Sequence, residues 1–181
     1  QQRYLDAVSR GAILTVALNE PAQSMPTDPV TTLVDGRLNG TKVAVPYADH
    51  SEWMVVTTDA GAVCVPADAS GMELVSTPSA TGAPEFTVRF SDTPVADQDV
   101  LAGSQAHEVN DVVLAVVGAY GSGLMQGALR LTADYLAGRH QFGKPLTTFQ
   151  LVAAQLADLY IASRTVDLAA KSAVYRLAGG D

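Results

Sequence analysis

Between Ala12 and about Gly103 the apolar residues come in short runs, many of them alternating, broken by Gly, Pro, Asp and Asn. "AILTVAL", "PVTTLV", "TKVAV", "WMVVTT", "AVCV", "MELVS" and "EFTVRFS" recur at the spacing of a β-sandwich or barrel. In the last run Phe86, Val88 and Phe90 fall on one face and Thr87 and Arg89 on the other, as a half-buried strand requires. Gly36 and Gly40 in "VDGRLNG" supply reversals where positive φ is needed.

From about Glu108 the period becomes helical. "HEVNDVVLAVVGAYGSGLMQGALRLTADYLAG" has no proline but carries Gly118, Gly121, Gly123 and Gly127, each costing about 1 kcal/mol of helix propensity relative to alanine. Those glycines predict a close contact on one face, either tight helix packing or a ligand or subunit. A second helix is predicted from Thr147, with Thr147 and Gln150 matching a capping box. Its buried stripe is Val152, Leu156, Leu159, Val166, Ala170 and Val174. The fold class is therefore α+β: an antiparallel β-barrel or sandwich followed by long antiparallel helices joined by a short loop, Arg139 to Leu146. The opening "QQRYLDAV" and the close "LAGGD" both interrupt helical pattern, which predicts a segment of a longer polypeptide.

Composition narrows the classes. The 181 residues are 48% hydrophobic and 17% charged, enough to bury a real core. A formal charge of −8 with scattered Lys and Arg disfavours nucleic acid. The single Cys64 has no disulfide partner, and His50, His107 and His140 form no metal-ligand spacing, so a reducing compartment and no metal are expected. The amino-terminal apolar stretch is too short and interrupted for a signal peptide or a span, which points to a cytoplasmic protein without a membrane.

Candidate chemistry is sparse. No nucleophile turn, P-loop or GxGxxG fingerprint is present, and Cys64 in "AVCVP" reads as a buried thiol. What remains is "RHQFGKPL". Arg139 offers a planar fork suited to phosphate, Gln141 neutral donors, Phe142 a ring for stacking and Gly143 a bend. On the residues alone a second reading stays open, with Arg139 as a favourable cation near a helix C-terminus and Phe142 as a core plug.

The stretch "RHQFGKPLTTFQLVAAQLAD" resembles the acyl-CoA dehydrogenase signature R-x-Q-F-G-x-P-(I/L)-x-x-F-Q. "ALNEP", "LNGTKVAV" and "FSDTPVADQDVLAG" resemble the family's ALTEP, LNG-x-K-x-x-I and F-x-x-V-x-V-P segments, in the family's order. The resemblance implies that residues 1–11 end an N-terminal helical domain, 12–103 form the middle β domain, and 104–181 give the first two helices of a C-terminal four-helix domain. It implies FAD as cofactor, an acyl-CoA substrate, electron-transfer flavoprotein as acceptor, and a tetramer. Within it a glutamate removes the α-proton while the β-hydrogen leaves as hydride to the flavin. Carried over, Arg139 pairs with the FAD pyrophosphate across a subunit interface, Gln141 adds a hydrogen bond, Phe142 packs by the cofactor, and Asn19 stands where a threonine bonds the flavin ring.

Several matched positions depart from the family. Ala44 and Pro46 in "VAVPYADH" stand where it places a tryptophan and a threonine by the flavin, and proline has no donor. Val113, followed by Leu114, occupies the position of the glutamate that a minority of members carry in the first long helix. The nearby Glu108 and Asp111 read as solvated carboxylates at a helix start. The chain thus assigns no catalytic residue of its own. This pattern resembles actinobacterial enzymes of sterol side-chain breakdown, several of which are mixed tetramers of two unlike subunits. The first reading is a FAD-dependent acyl-CoA dehydrogenase subunit working with a second dehydrogenase-like subunit, on a sterol-derived or other bulky acyl-CoA. The alternative is a non-catalytic scaffold that binds no flavin by itself. A third keeps full catalysis in a homotetramer whose glutamate lies beyond Asp181.

Overall fold

The computed structural model describes residues 2–179; Gln1, Gly180 and Asp181, the outer ends of the first and last expected domains, lie outside the described residues. The chain divides into two compact units, one ending at Asn110 and the other starting at Asp111.

The first unit opens with a short helix, α1 (Gln2–Ser9), followed by eight strands: β1 (Leu14–Ala17), β2 (Thr32–Val34), β3 (Arg37–Pro46), β4 (Trp53–Thr58), β5 (Gly61–Pro66), β6 (Met72–Thr77), β7 (Glu85–Pro94) and β8 (Val100–Leu101). They form two four-stranded sheets, ordered β1-β4-β5-β8 and β2-β3-β7-β6. The second sheet is antiparallel throughout. In the first, β1 runs parallel to β4, which departs from the fully antiparallel expectation. A parallel pair needs a long crossover, and here the chain between β1 and β4 leaves to build β2 and β3 in the other sheet before returning.

The alternation read from the sequence appears in β7, where Phe86, Val88 and Phe90 are buried and Arg89 is exposed. They join Leu38, Val45, Met54, Val56, Val63 and Val65 in one apolar cluster fed by both sheets. Each such side chain contributes about 1.5–3 kcal/mol when fully buried. Strand β5 is buried on both faces over Gly61 to Val65, which explains its unbroken apolar run. Cys64 sits inside it, and burial raises its thiol pKa, as the inert reading requires. In the β2–β3 hairpin, Asp35 and Gly36 both take positive φ, 50° and 70°, the pattern of a type I′ turn. Gly40 has φ +151°, and a Cβ there would meet the Thr31 hydroxyl at 2.6 Å.

Helix α2 (Ala106–Gly138) begins in the first unit and continues through the second, where it is followed by a two-stranded hairpin, β9 (His140–Gln141) and β10 (Lys144–Pro145), and by α3 (Gln150–Gly179). By length and composition alone α2 could cross a membrane, with a mean hydropathy of 1.6 in its most apolar window.

Two expectations about the helices need correction. Thr147 lies in a 3-10 turn, Leu146–Thr148, and the helix starts only at Gln150, with the Ala153 N–H reaching the Phe149 carbonyl at 2.9 Å. The capping box is therefore not formed; the turn is closed instead by the Thr148 hydroxyl on the Pro145 carbonyl at 2.7 Å. Of the expected stripe on α3, Ala170 is buried, whereas Leu159 and Val174 are 51% and 48% exposed. The buried seam is polar as well as apolar: Asp167 accepts hydrogen bonds from Ser122 and Gln126 of α2 at 3.3 Å each. Of the four glycines singled out on α2, Gly118 packs against its neighbour helix, with its hypothetical Cβ 3.7 Å from the Ala170 Cβ, while Gly121, Gly123 and Gly127 meet nothing within this chain and are open to a ligand or subunit.

Candidate functional site

The segment from Arg139 to Leu146 is a tight hairpin rather than an irregular loop. Lys144 pairs with Gln141 and Pro145 with His140, leaving Phe142 and Gly143 as the two turn residues. Both have positive φ, 52° and 77°, as a type I′ turn requires. Glycine adopts this freely, but a phenylalanine held there costs on the order of 1–3 kcal/mol. The strained residue is also the most exposed large apolar side chain, at 92%. Phe149 touches its ring edge-on, with centroids 6.2 Å apart. Within this chain Phe142 therefore plugs no core: the turn leaves its ring exposed, with Phe149 beside it.

Arg139 is the first residue past α2. Its N–H caps the helix on the Tyr135 carbonyl at 2.8 Å, and its carbonyl accepts the Leu146 N–H at 2.8 Å. The backbone is thus fixed on both sides of the hairpin, while the exposed guanidinium makes no hydrogen bond or ion pair among the described residues. Gln141 donates to the His140 carbonyl at 2.8 Å, and His140 Nδ1 lies 3.1 Å from the Gly138 carbonyl. Arg139, Gln141 and Phe142 are accordingly brought together on one small rigid element. What that element offers is a planar cation, an amide and a flat apolar ring, suited to an anion attached to an aromatic group.

Asn19 belongs to the first unit and is half-buried. Its Oδ1 accepts from the Met25 N–H at 3.1 Å and the Ser24 hydroxyl at 3.2 Å. Since a backbone N–H can only donate, that contact fixes which end of the amide is oxygen. The Nδ2 end has no hydrogen bond among the described residues and keeps its donors. Ala44 adopts φ +51° in an irregular stretch of β3 between Lys42 and Val45, and Pro46 ends the strand. Val113 is half-buried and Leu114 exposed on α2, so this helix holds no base at that point. Glu108 is occupied in accepting the Gln105 N–H at 2.9 Å, a helix-start role, and Asp111 is exposed.

Sequence reasoning missed two polar centres. Glu20 and Lys42 form an ion pair at 2.9 Å, 2% and 0% exposed. Burial on its own would raise the Glu20 pKa, but hydrogen bonds from the Thr31 hydroxyl, the Val30 N–H, Lys42 and the Thr31 N–H bring it down to about 2. Burial lowers the Lys42 pKa against the opposing pull of Glu20. The signal was available: Leu38, Gly40 and Lys42 share one face of β3, and a lysine on an inward period must find a carboxylate. The second centre is Asp167, whose carboxyl is held down mainly by its hydrogen bond from Lys171 at 2.9 Å, with Arg164 at 3.1 Å beside it.

Comparison with known proteins resolves what such a chain is. The family model described as acyl-CoA dehydrogenase, C-terminal domain, matches residues 114–181. Acyl-CoA dehydrogenase FadE28 of Mycobacterium tuberculosis is 55% identical over 178 residues, covering 98% of this chain and 52% of the relative. The chain belongs to the acyl-CoA dehydrogenase family. It spans about half the length of curated relatives that match nearly all of it. Among solved structures, a Tcur3481-Tcur3483 steroid acyl-CoA dehydrogenase variant superposes with a TM-score of 0.82 at 32% identity, over 99% of this chain and 52% of that one. The ChsE4-ChsE5 complex from Mycobacterium tuberculosis gives 0.85 at 26% identity, over 97% and 50%. The two sheets and paired long helices of this acyl-CoA dehydrogenase chain are thus the family fold.

Proposed function

We propose that this chain is a subunit of a FAD-dependent acyl-CoA dehydrogenase that introduces an α,β double bond into an acyl-CoA thioester, with Arg139, Gln141 and Phe142 serving the FAD site across a subunit interface. The observation that carries the reading is the β9–β10 hairpin: a guanidinium without a partner among the described residues and a 92% exposed ring, both carried on a backbone held by hydrogen bonds and a strained turn. Strain of this kind persists where the surrounding structure imposes it, and binding sites are where it collects. FAD, when bound, supplies the hydride acceptor. Arg139 would hold its pyrophosphate by a bidentate, charge-assisted contact, Gln141 would add a donor, and Phe142 would cover an apolar edge against water. Asn19 would offer its unengaged Nδ2 to the flavin ring in place of the family's threonine.

Val113 cannot accept the α-proton, and on this reading a carboxylate of a second subunit takes it. That lack of an acceptor, and relatives whose names describe a complex and a steroid acyl-CoA dehydrogenase, support a second dehydrogenase-like subunit as partner and a sterol-derived acyl group as substrate. Electron-transfer flavoprotein would reoxidise the flavin. Pro46, which removes a donor at the family's threonine position, is what favours the alternative of a scaffold subunit binding no flavin by itself. Co-expression with the partner decides between them: stoichiometric flavin that is lost from the Arg139→Ala complex with folding intact upholds the proposal, and equal flavin content in that variant overturns the pyrophosphate role.

A further inference from the structure

Resting on the flavin reading above, we infer that Lys42 and Glu20 are positioning residues: their buried pair clamps the chain on both sides of Asn19 and so aims its side-chain amide at the flavin. The geometry is specific to that residue. Lys42 Nζ donates to the Leu18 carbonyl at 3.4 Å and to Glu20 Oε1 at 2.9 Å, gripping the residues immediately before and after Asn19. The Asn19 carbonyl itself accepts the N–H of Val43, the residue after Lys42, at 2.9 Å. Three consecutive residues are therefore tied to two consecutive residues of β3.

Around this clamp every partner is accounted for. Lys42 Nζ also reaches the Thr57 hydroxyl at 3.1 Å, while Glu20 receives the Val30 N–H at 2.8 Å and the Thr31 N–H at 2.9 Å, with the Thr31 hydroxyl at 2.6 Å. Glu20 also exchanges backbone hydrogen bonds with Gln23 at 2.9 Å, which folds the chain back so that Met25 and Ser24 seize Asn19 Oδ1. The same pair thus fixes both the backbone of Asn19 and the turn that orients its amide. The three ammonium donors of Lys42 each find an acceptor, and two of the three acceptors belong to the residues that flank Asn19.

The test uses the holoprotein with its partner subunit and compares wild type, Asn19→Ala, the charge-neutral pair Glu20→Gln with Lys42→Met, and the triple combination. The neutral pair avoids stranding a buried charge. Two readouts apply: the visible spectrum and midpoint potential of the bound flavin, and hydrogen exchange of the Leu18–Met25 segment after flavin removal. The inference expects the neutral pair to shift spectrum and potential in the direction that Asn19→Ala shifts them, to add nothing in the triple combination, and to speed exchange at the Met25 N–H. Thr57→Val, which removes one Lys42 partner only, should give a smaller shift of the same sign and serves if the neutral pair does not fold. An unshifted flavin, or effects that simply add in the Asn19→Ala background, would overturn the inference while leaving the flavin reading intact. A wild-type complex that holds no flavin would overturn both.

Discussion

The β9–β10 hairpin and the Glu20–Lys42 centre are both charged and both tied by hydrogen bonds, yet they are built in opposite ways. At the centre each polar atom faces another protein group, and both side chains are sealed from water. On the hairpin the backbone is satisfied while the side chains are not, and the turn tolerates a strained Phe142. A closed network spends its hydrogen bonds on the fold, whereas a held but open one keeps them for something else. Charge alone separates neither from the other; partners do.

The largest expected effect falls on the closed centre. Lys42→Met alone strands the Glu20 carboxylate and should lower unfolding stability by about 3–5 kcal/mol in urea denaturation; a loss below 1 kcal/mol would mean the pair is not sealed as described. Acid should act on the same site. The Glu20 pKa falls on folding from 4.5 to about 2, a depressed carboxylate whose stabilisation is present above pH 4.5 and lost as pH drops through about 2. A shift of that size corresponds to about 3 kcal/mol, so Glu20→Gln should flatten the pH dependence of stability in that window. Gly40→Ala should cost roughly 2 kcal/mol, because it forces a Cβ onto Thr31, which bonds Glu20, at a φ that alanine avoids.

On the hairpin the stability effects shrink. Gly143→Ala, at φ +77° with open space around it, should cost only about 1 kcal/mol. If it cost as much as Lys42→Met, the hairpin would be part of the packed structure and the contrast would fail. Arg139→Ala should move stability by no more than about 0.5 kcal/mol.

Much of the β unit was legible because its signal is local. The period of two in "EFTVRF" and the Asp-Gly of "VDGR" each fix their own neighbourhood, and β7 and the β2–β3 turn follow them. The parallel β1–β4 pairing was not, since it depends on where a distant segment returns. The candidate residues Arg139, Gln141 and Phe142 were legible as types, but not their geometry. "TTFQ" satisfies the capping pattern, yet Pro145 and the hairpin before it impose a 3-10 turn that moves the helix start to Gln150. The α3 stripe failed for a related reason: helical period reports one apolar face, whereas α3 is apolar around much of its circumference, with Leu159, Ile161 and Tyr175 exposed and Asp167 buried. Lys42 was missed because a single cation in a strand looks like an outward residue until its register is known.

The central claim is that the open hairpin is a cofactor clamp. Flavin retention by the co-expressed complex, read as the ratio of flavin to protein absorbance through dialysis, tests it most directly in wild type and Arg139→Ala. Losing a charge-assisted contact of about 1.5–3 kcal/mol predicts FAD bound roughly 10- to 100-fold more weakly, with an unchanged unfolding midpoint of the flavin-free protein. Equal retention by the two proteins would contradict it.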